Sequence, residues 1–172
     1  MNMQTYQIDI QAPREKVWQV LFGEDTYPQW TKAFNEESRV ETDWQKGSRA
    51  LFLDAKGDGM VSRIAENIPN EFMSIEHLGT LMDGKEDTTS PEVAQWNGAH
   101  ENYRLQDIDG GTRLLIEMEI DDNSEYAEMF AGMWPKALEN VKGIAEKTDL
   151  RTFFTQKPTF ERSNRDLSSS IL

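Results

Sequence analysis

The chain has 172 residues, a net charge of −13 and no cysteine, with a pI near 4.6 and a mean hydropathy of −0.70. The charge disfavours nucleic acid and anionic membrane surfaces, and the missing cysteines exclude disulfides, thiolate nucleophiles and Cys-based metal sites. The length suits one domain burying roughly 70% of its unfolded surface; no apolar run approaches the roughly 20 residues of a membrane span. The opening MNMQTYQIDI lacks the charged and apolar regions of a signal peptide, so a cytoplasmic location without membrane insertion is the default expectation.

In chain order, Tyr6, Ile8 and Ile10 alternate with polar residues, which predicts a first strand ended by Ala12-Pro13. Pro13 suits a helix start, and Val17, Trp18, Leu21 and Phe22 give that helix an apolar face. A second short helix is expected over Thr26 to Phe34, with Trp30 and Phe34 four apart. Strands follow over Ser38 to Trp44, Ser48 to Asp54, Gly59 to Ala65 and Phe72 to Gly79. Turns at Gln45-Lys46-Gly47, Lys56-Gly57-Asp58-Gly59 and Pro69-Asn70 separate them.

Thr80 to Trp96 reads as a long acidic loop, of the kind that covers a binding site. Gly98 to Asp107 and Thr112 to Ile120 form a last strand pair across Asp109-Gly110-Gly111. From about Asp122 to Lys147, apolar residues recur by threes and fours: Tyr126, Met129, Phe130, Met133, Ala137, Val141 and Ile144. That is the stripe of a long amphipathic helix. Asp122 with Glu125 makes a capping box for it, and Pro135 inside it predicts a kink near Ala131 to Trp134. The pattern predicts an α+β domain over residues 1–148, one long helix on a large antiparallel sheet with a cavity between them. Residues 149–172 form a separate tail. Residues 151–172 carry net charge +2 against −15 for the rest. The tail is expected to be disordered, or to pack on the acidic body or on a second subunit, which would make a homodimer.

The order of elements, with Ala12-Pro13-Arg14-Glu15-Lys16-Val17-Trp18, Tyr27-Pro28-Gln29-Trp30 and Asp43-Trp44-Gln45-Lys46-Gly47-Ser48, resembles the START-like (SRPBCC) superfamily. Pro69-Asn70-Glu71-Phe72, Glu76-His77-Leu78-Gly79, Glu101-Asn102-Tyr103 and Gly132-Met133-Trp134-Pro135-Lys136-Ala137-Leu138 extend the likeness. It is strongest to the bacterial branch related to the activator of the heat-shock-protein-90 ATPase, and covers about residues 3 to 147. The resemblance implies a helix-grip fold: a curved antiparallel sheet of about seven strands around the C-terminal helix, with two short helices after the first strand. It also implies a deep cavity for small hydrophobic molecules.

Strand parity nominates the residues facing that cavity. Leu114, Ile116, Met118 and Ile120 share one face, as do Met73, Ile75 and His77, and Ala99, Glu101, Tyr103 and Leu105. Ser62 shares a face with Met60 and Ile64. The candidate ligand-binding residues are therefore Trp30, Phe34, Phe52, Met60, Ser62, Ile75, His77, Glu101, Tyr103, Ile116, Met118, Met129, Met133 and Trp134. Three roles for Glu101 stay open: a structural acceptor, a ligand-orienting group, or a general base working with His77.

Only two His occur, 23 residues apart on opposite parities, and no His-Glu-x-x-His is present. No zinc site follows. Asp54 to Gly59 starts like a calcium loop, but Ala65 stands where the twelfth position needs Glu. With no nucleotide or serine-hydrolase motif, no cofactor and no catalytic residue are expected. The first reading is binding of a small apolar or amphipathic molecule. The alternatives are a cyclase- or aromatase-type enzyme and a chaperone-cofactor-like interaction module.

Overall fold

The computed structural model describes residues 2–169, with side chains through Lys147. Eight strands form one antiparallel sheet: β1 (Asn2–Ile10), β2 (Arg39–Glu41), β3 (Arg49–Leu53), β4 (Gly59–Ile68), β5 (Phe72–Met82), β6 (Lys85–Asp87), β7 (Ala99–Ile108) and β8 (Gly111–Ile120). The helices are α1 (Arg14–Phe22), α2 (Tyr27–Thr31), α3 (Pro91–Ala94) and α4 (Glu125–Ser169). The strand order is β1-β8-β7-β5-β4-β3-β2, with β6 paired to β5. This is the helix-grip arrangement expected from the sequence, with one strand more than the seven anticipated.

The extra strand comes from Thr80 to Trp96, which is not an open loop. Strand β5 runs on to Met82 and turns back through Asp83 and Gly84 into β6. Both turn residues have positive φ, 52° and 76°, as a two-residue hairpin turn of this twist requires. The Asp-Gly pair carried this signal, and the acidic composition around it obscured it. Ser90 then caps α3, its hydroxyl accepting from the Val93 amide, and Val93 is buried.

Alternation on β8 is as expected: Thr112, Leu114, Ile116 and Met118 are buried while their neighbours are partly exposed. Helix α4 lies across β1, α1 and α2. Its docking is pinned at the far end of β1, where the Lys142 ammonium donates to the Asp9 carbonyl at 2.9 Å and Glu146 accepts from the Gln11 amide at 3.1 Å.

The buried stripe of α4 agrees with the one read off the sequence at Ala137 and Val141, with Phe130 and Ile144 packed beside the core, and departs from it toward the start of the helix. Ala127, Trp134, Ala137, Leu138, Val141 and Ala145 are buried, whereas Tyr126 and Met129 are 53% and 41% exposed. Small alanines let the helix approach the sheet closely, so the stripe centres on them and on Trp134 rather than on the methionines. The capping box also differs. The helix begins at Glu125, and the Asp122 carboxylate accepts from the Asn2 side chain at 2.5 Å instead. The helix is continuous through Pro135. The expectations for residues 149–172 concern side chains outside those described. Among the described residues, no helix is long and apolar enough to cross a membrane.

Candidate functional site

Four polar side chains meet on the concave face of the sheet. Ser62 on β4 stands opposite His77 on β5, and an extra residue at Leu78 shifts the register beyond them, as a bulge does. His77 stands opposite Ala99, so Glu101 lies two residues along on the same face of β7, within diagonal reach of a long side chain. Tyr103 follows two residues later. The Ser62 hydroxyl lies 2.7 Å from His77 Nδ1, and His77 Nε2 lies 3.2 Å from Glu101 Oε1. The Tyr103 hydroxyl donates to the other carboxylate oxygen, Oε2.

One proton arrangement satisfies all four groups. An ionised carboxylate only accepts, so Nε2–H donates to Glu101, which leaves Nδ1 of a singly protonated ring to accept from Ser62. Burial pushes the Glu101 carboxyl up, but the hydrogen bonds from His77 and from the Tyr103 hydroxyl hold it below its ordinary value. The Tyr103 phenol is raised well above its ordinary range by burial and then by the Glu101 charge, and Tyr27 is raised for the same two reasons.

Exposure grades along the chain of bonds. Ser62 is fully buried and Tyr103 nearly so, while the His77 and Glu101 side chains keep 13% and 17% of their surface. Solvent therefore reaches the middle of the chain and not its ends. A buried hydroxyl cannot attack a ligand, so Ser62 orients His77 and is no nucleophile. Glu101 is the group able to accept a hydrogen bond or a proton from an entering molecule.

Aromatic rings surround these four residues. Trp134 lies within 6.2 Å, centroid to centroid, of Tyr6, Trp30, Phe34 and Tyr103. On the other side Phe52 stands 6.1 Å from the His77 ring and contacts Tyr27 and Trp44. Trp44 reaches this position from a left-handed backbone with φ of 61°, a conformation that costs a β-carbon-bearing residue about 1–2 kcal/mol. The Asn67 side chain helps to hold it by donating to the Trp44 carbonyl at 2.7 Å.

Most of the nominated residues converge. Trp30, Phe34, Tyr103 and Trp134 form one ring cluster, and the Trp134 indole N–H points at the Met118 sulfur. Ile75 and Ile116 are buried beneath it, and Phe52, Met60 and Met133 are half-buried. Met129 does not join them, because its side of α4 is exposed while Ala127 and Phe130 of the same turn face inward. The rings fill much of the space expected to be a deep cavity. Two depressions lie elsewhere on the surface. One of about 440 Å³ is lined by Gln11 to Pro13 and the β7–β8 turn; one of about 680 Å³ is lined by Lys32, Ala33, Glu36 and the Pro135 to Asn140 stretch of α4. Neither contains a nominated residue. Among the described residues, no group of three or more His, Asp or Glu is placed to hold a metal ion.

Sequence reasoning missed Tyr27, Trp44 and Phe22, whose ring lies 4.9 Å from Trp44 and 5.3 Å from Tyr103, as members of the site. Tyr27 and Trp30 are three apart on α2, a helical spacing that carried the signal. Trp44 had none, since its ring is aimed by the left-handed backbone.

The family model for activator of Hsp90 ATPase homolog 1-like protein matches residues 11–146. No protein of curated function matches the chain in sequence. Among solved structures, protein MLL2253 from Mesorhizobium loti aligns with a TM-score of 0.67 at 17% identity, over 86% of this chain and 98% of its own. The Aha1 dimer from Colwellia psychrerythraea aligns at 0.62 and 19% identity, over 83% and 94%. DynU16, from the dynemicin biosynthetic locus, aligns at 0.62 and 14% identity, over 85% of this chain and 48% of its own. At these identities the likeness is one of fold.

Proposed function

The chain belongs to the activator of Hsp90 ATPase homolog 1-like family, and from that premise we propose that residues 1–148 bind a small apolar or amphipathic molecule between α4 and the sheet. One observation carries this reading: a hydrogen-bonded chain of four polar side chains lies in an aromatic interior, and solvent reaches only its two middle members. A purely structural network would be closed throughout. Here the open part presents Glu101 to whatever enters, with ring faces on both sides. Affinity comes from apolar burial, with Glu101 and His77 orienting the ligand. The rings now in mutual contact move apart to admit it, and half-buried Phe34, Phe52 and Met133 form the entrance. A relative encoded in a biosynthetic locus is in keeping with a small-molecule ligand.

The test is mass spectrometry of small molecules extracted from the purified protein, beside a Met133→Trp variant that fills the entrance. A compound carried by the native protein and missing from the folded variant is the expected result. Equal loading of both would place the ligand elsewhere. Conversion of the extracted compound on incubation would favour an enzyme.

A further inference from the structure

The inner face has an unusual hydrogen-bond inventory. The donors of its polar chain are spent internally: the Ser62 hydroxyl on His77, the His77 Nε2–H on Glu101, and the Tyr103 hydroxyl on Glu101. What remains within reach of the opening is acceptor capacity, the spare lone pairs of an ionised carboxylate. The sheet registers place no Lys or Arg on this face: beside Ser62, His77, Glu101 and Thr112, the polar inward residues of β4, β5, β7 and β8 are Asn67, Thr80 and Asp107, the last paired with Arg14 of α1 at the strand end. The arginines of these strands, Arg63, Arg104 and Arg113, pair on the opposite face with Glu76, Glu117 and Asp9.

The surrounding walls are rings, Tyr27, Trp44, Phe52 and Tyr103 among them. Ring faces carry negative quadrupole density and attract cations, most strongly where water is excluded. The whole chain adds a net charge of −13, a field that draws cations in and repels anionic amphiphiles. Carboxylate, ring faces and overall field all select the same sign of ligand.

We propose that the molecule bound here is an organic cation, a protonated or quaternary amine on an apolar body, with its nitrogen against Glu101 and its body among the rings. This rests on the reading that the inner face is a binding site. It names the chemical class that site selects. A fatty acid or other carboxylate would bring like charge to Glu101, and the donors of the polar chain are already engaged.

The experiment compares three probes of similar size by calorimetry and tryptophan fluorescence: benzyltrimethylammonium, its neutral carbon isostere neopentylbenzene, and phenylacetate. The ammonium is expected to bind at least about tenfold tighter than the isostere, the order a desolvated cation–π contact supplies, with phenylacetate weakest. Glu101→Gln keeps shape and an acceptor but removes the charge, and is expected to cut the preference back to the part the rings alone supply, while the isostere still binds. Glu119→Gln on the outer face is expected to leave the preference intact, which separates a specific site from general attraction to an acidic protein. Equal affinity for ammonium and isostere overturns the cation assignment and leaves the binding site standing. Failure of all three probes overturns both. A preference lost equally in Glu119→Gln and Glu101→Gln overturns the placement at Glu101. The probe comparison in the native protein decides the sign of the ligand even if Glu101→Gln does not fold.

Discussion

The two faces of the sheet solve the same problem with opposite means. On the concave face, Ser62, His77 and Glu101 run across β4, β5 and β7. One residue away on each strand, Arg63, Glu76 and His100 cross the same three strands on the convex face, and Glu119 on β8 completes the row. Each row contains one His and a neighbouring Glu at close to 3 Å, His77 to Glu101 inside and His100 to Glu119 outside. The inner pair keeps 13% and 17% of its side-chain surface, the outer pair 34% and 33%. Water satisfies and screens the outer groups, so any one of them can be lost at small cost. The inner groups bond chiefly to one another and see little water, so removing one leaves its buried partners under-satisfied. Parity assigns the rows to opposite faces, and what covers each face decides which row is robust and which is constrained.

The largest effect is expected from Trp134→Ala. It removes the ring that joins Tyr6, Trp30, Phe34 and Tyr103 over the concave face and is expected to cost about 3–5 kcal/mol in chemical denaturation. A loss as small as that of a surface change would mean that the rings do not cooperate as a core.

Next comes the paired test of the two rows. Glu101→Ala leaves the Tyr103 hydroxyl and the His77 N–H without an acceptor, at about 1–3 kcal/mol for each buried group. Glu119→Ala is expected to cost about 0–1 kcal/mol, and less still in high salt. Similar values for the two variants would erase the distinction between the faces.

A smaller and more specific effect appears in acid. The Glu101 carboxyl titrates below its ordinary value in the folded protein, its own burial being outweighed by His77 and Tyr103. The folded state therefore resists protonation that the unfolded chain accepts. The stabilisation is complete above the ordinary carboxylate range and is lost as pH falls through the depressed folded value. Urea midpoints measured from about pH 7 down to about pH 3 are expected to fall less steeply for Glu101→Gln than for the native protein. An unchanged slope would show that acid sensitivity comes from other carboxylates.

Much of this could be read from residues alone. Period-two alternation fixed the inward set of β8 and placed His77, Glu101, Tyr103 and Ser62 on one face, because strand geometry points every second side chain the same way. Period 3.6 located α4, and the order of elements indicated the family. Three features were beyond such local rules. The working stripe of α4 is set by how closely Ala127 and Ala145 as well as Ala137 let it approach its neighbours; residue hydrophobicity found Ala137 but favoured Met129 over Ala127 and Ala145. Trp44 enters the site through a left-handed backbone braced by Asn67, a residue 23 positions away. The contact between Ser62 and His77 depends on the bulge at Leu78, since register is a property of the strand pair. Sequence by itself determined which side chains face inward, because that follows from local backbone period. Only the tertiary structure decided which of them touch and how much solvent each keeps, because distance and burial arise from segments far apart in the chain.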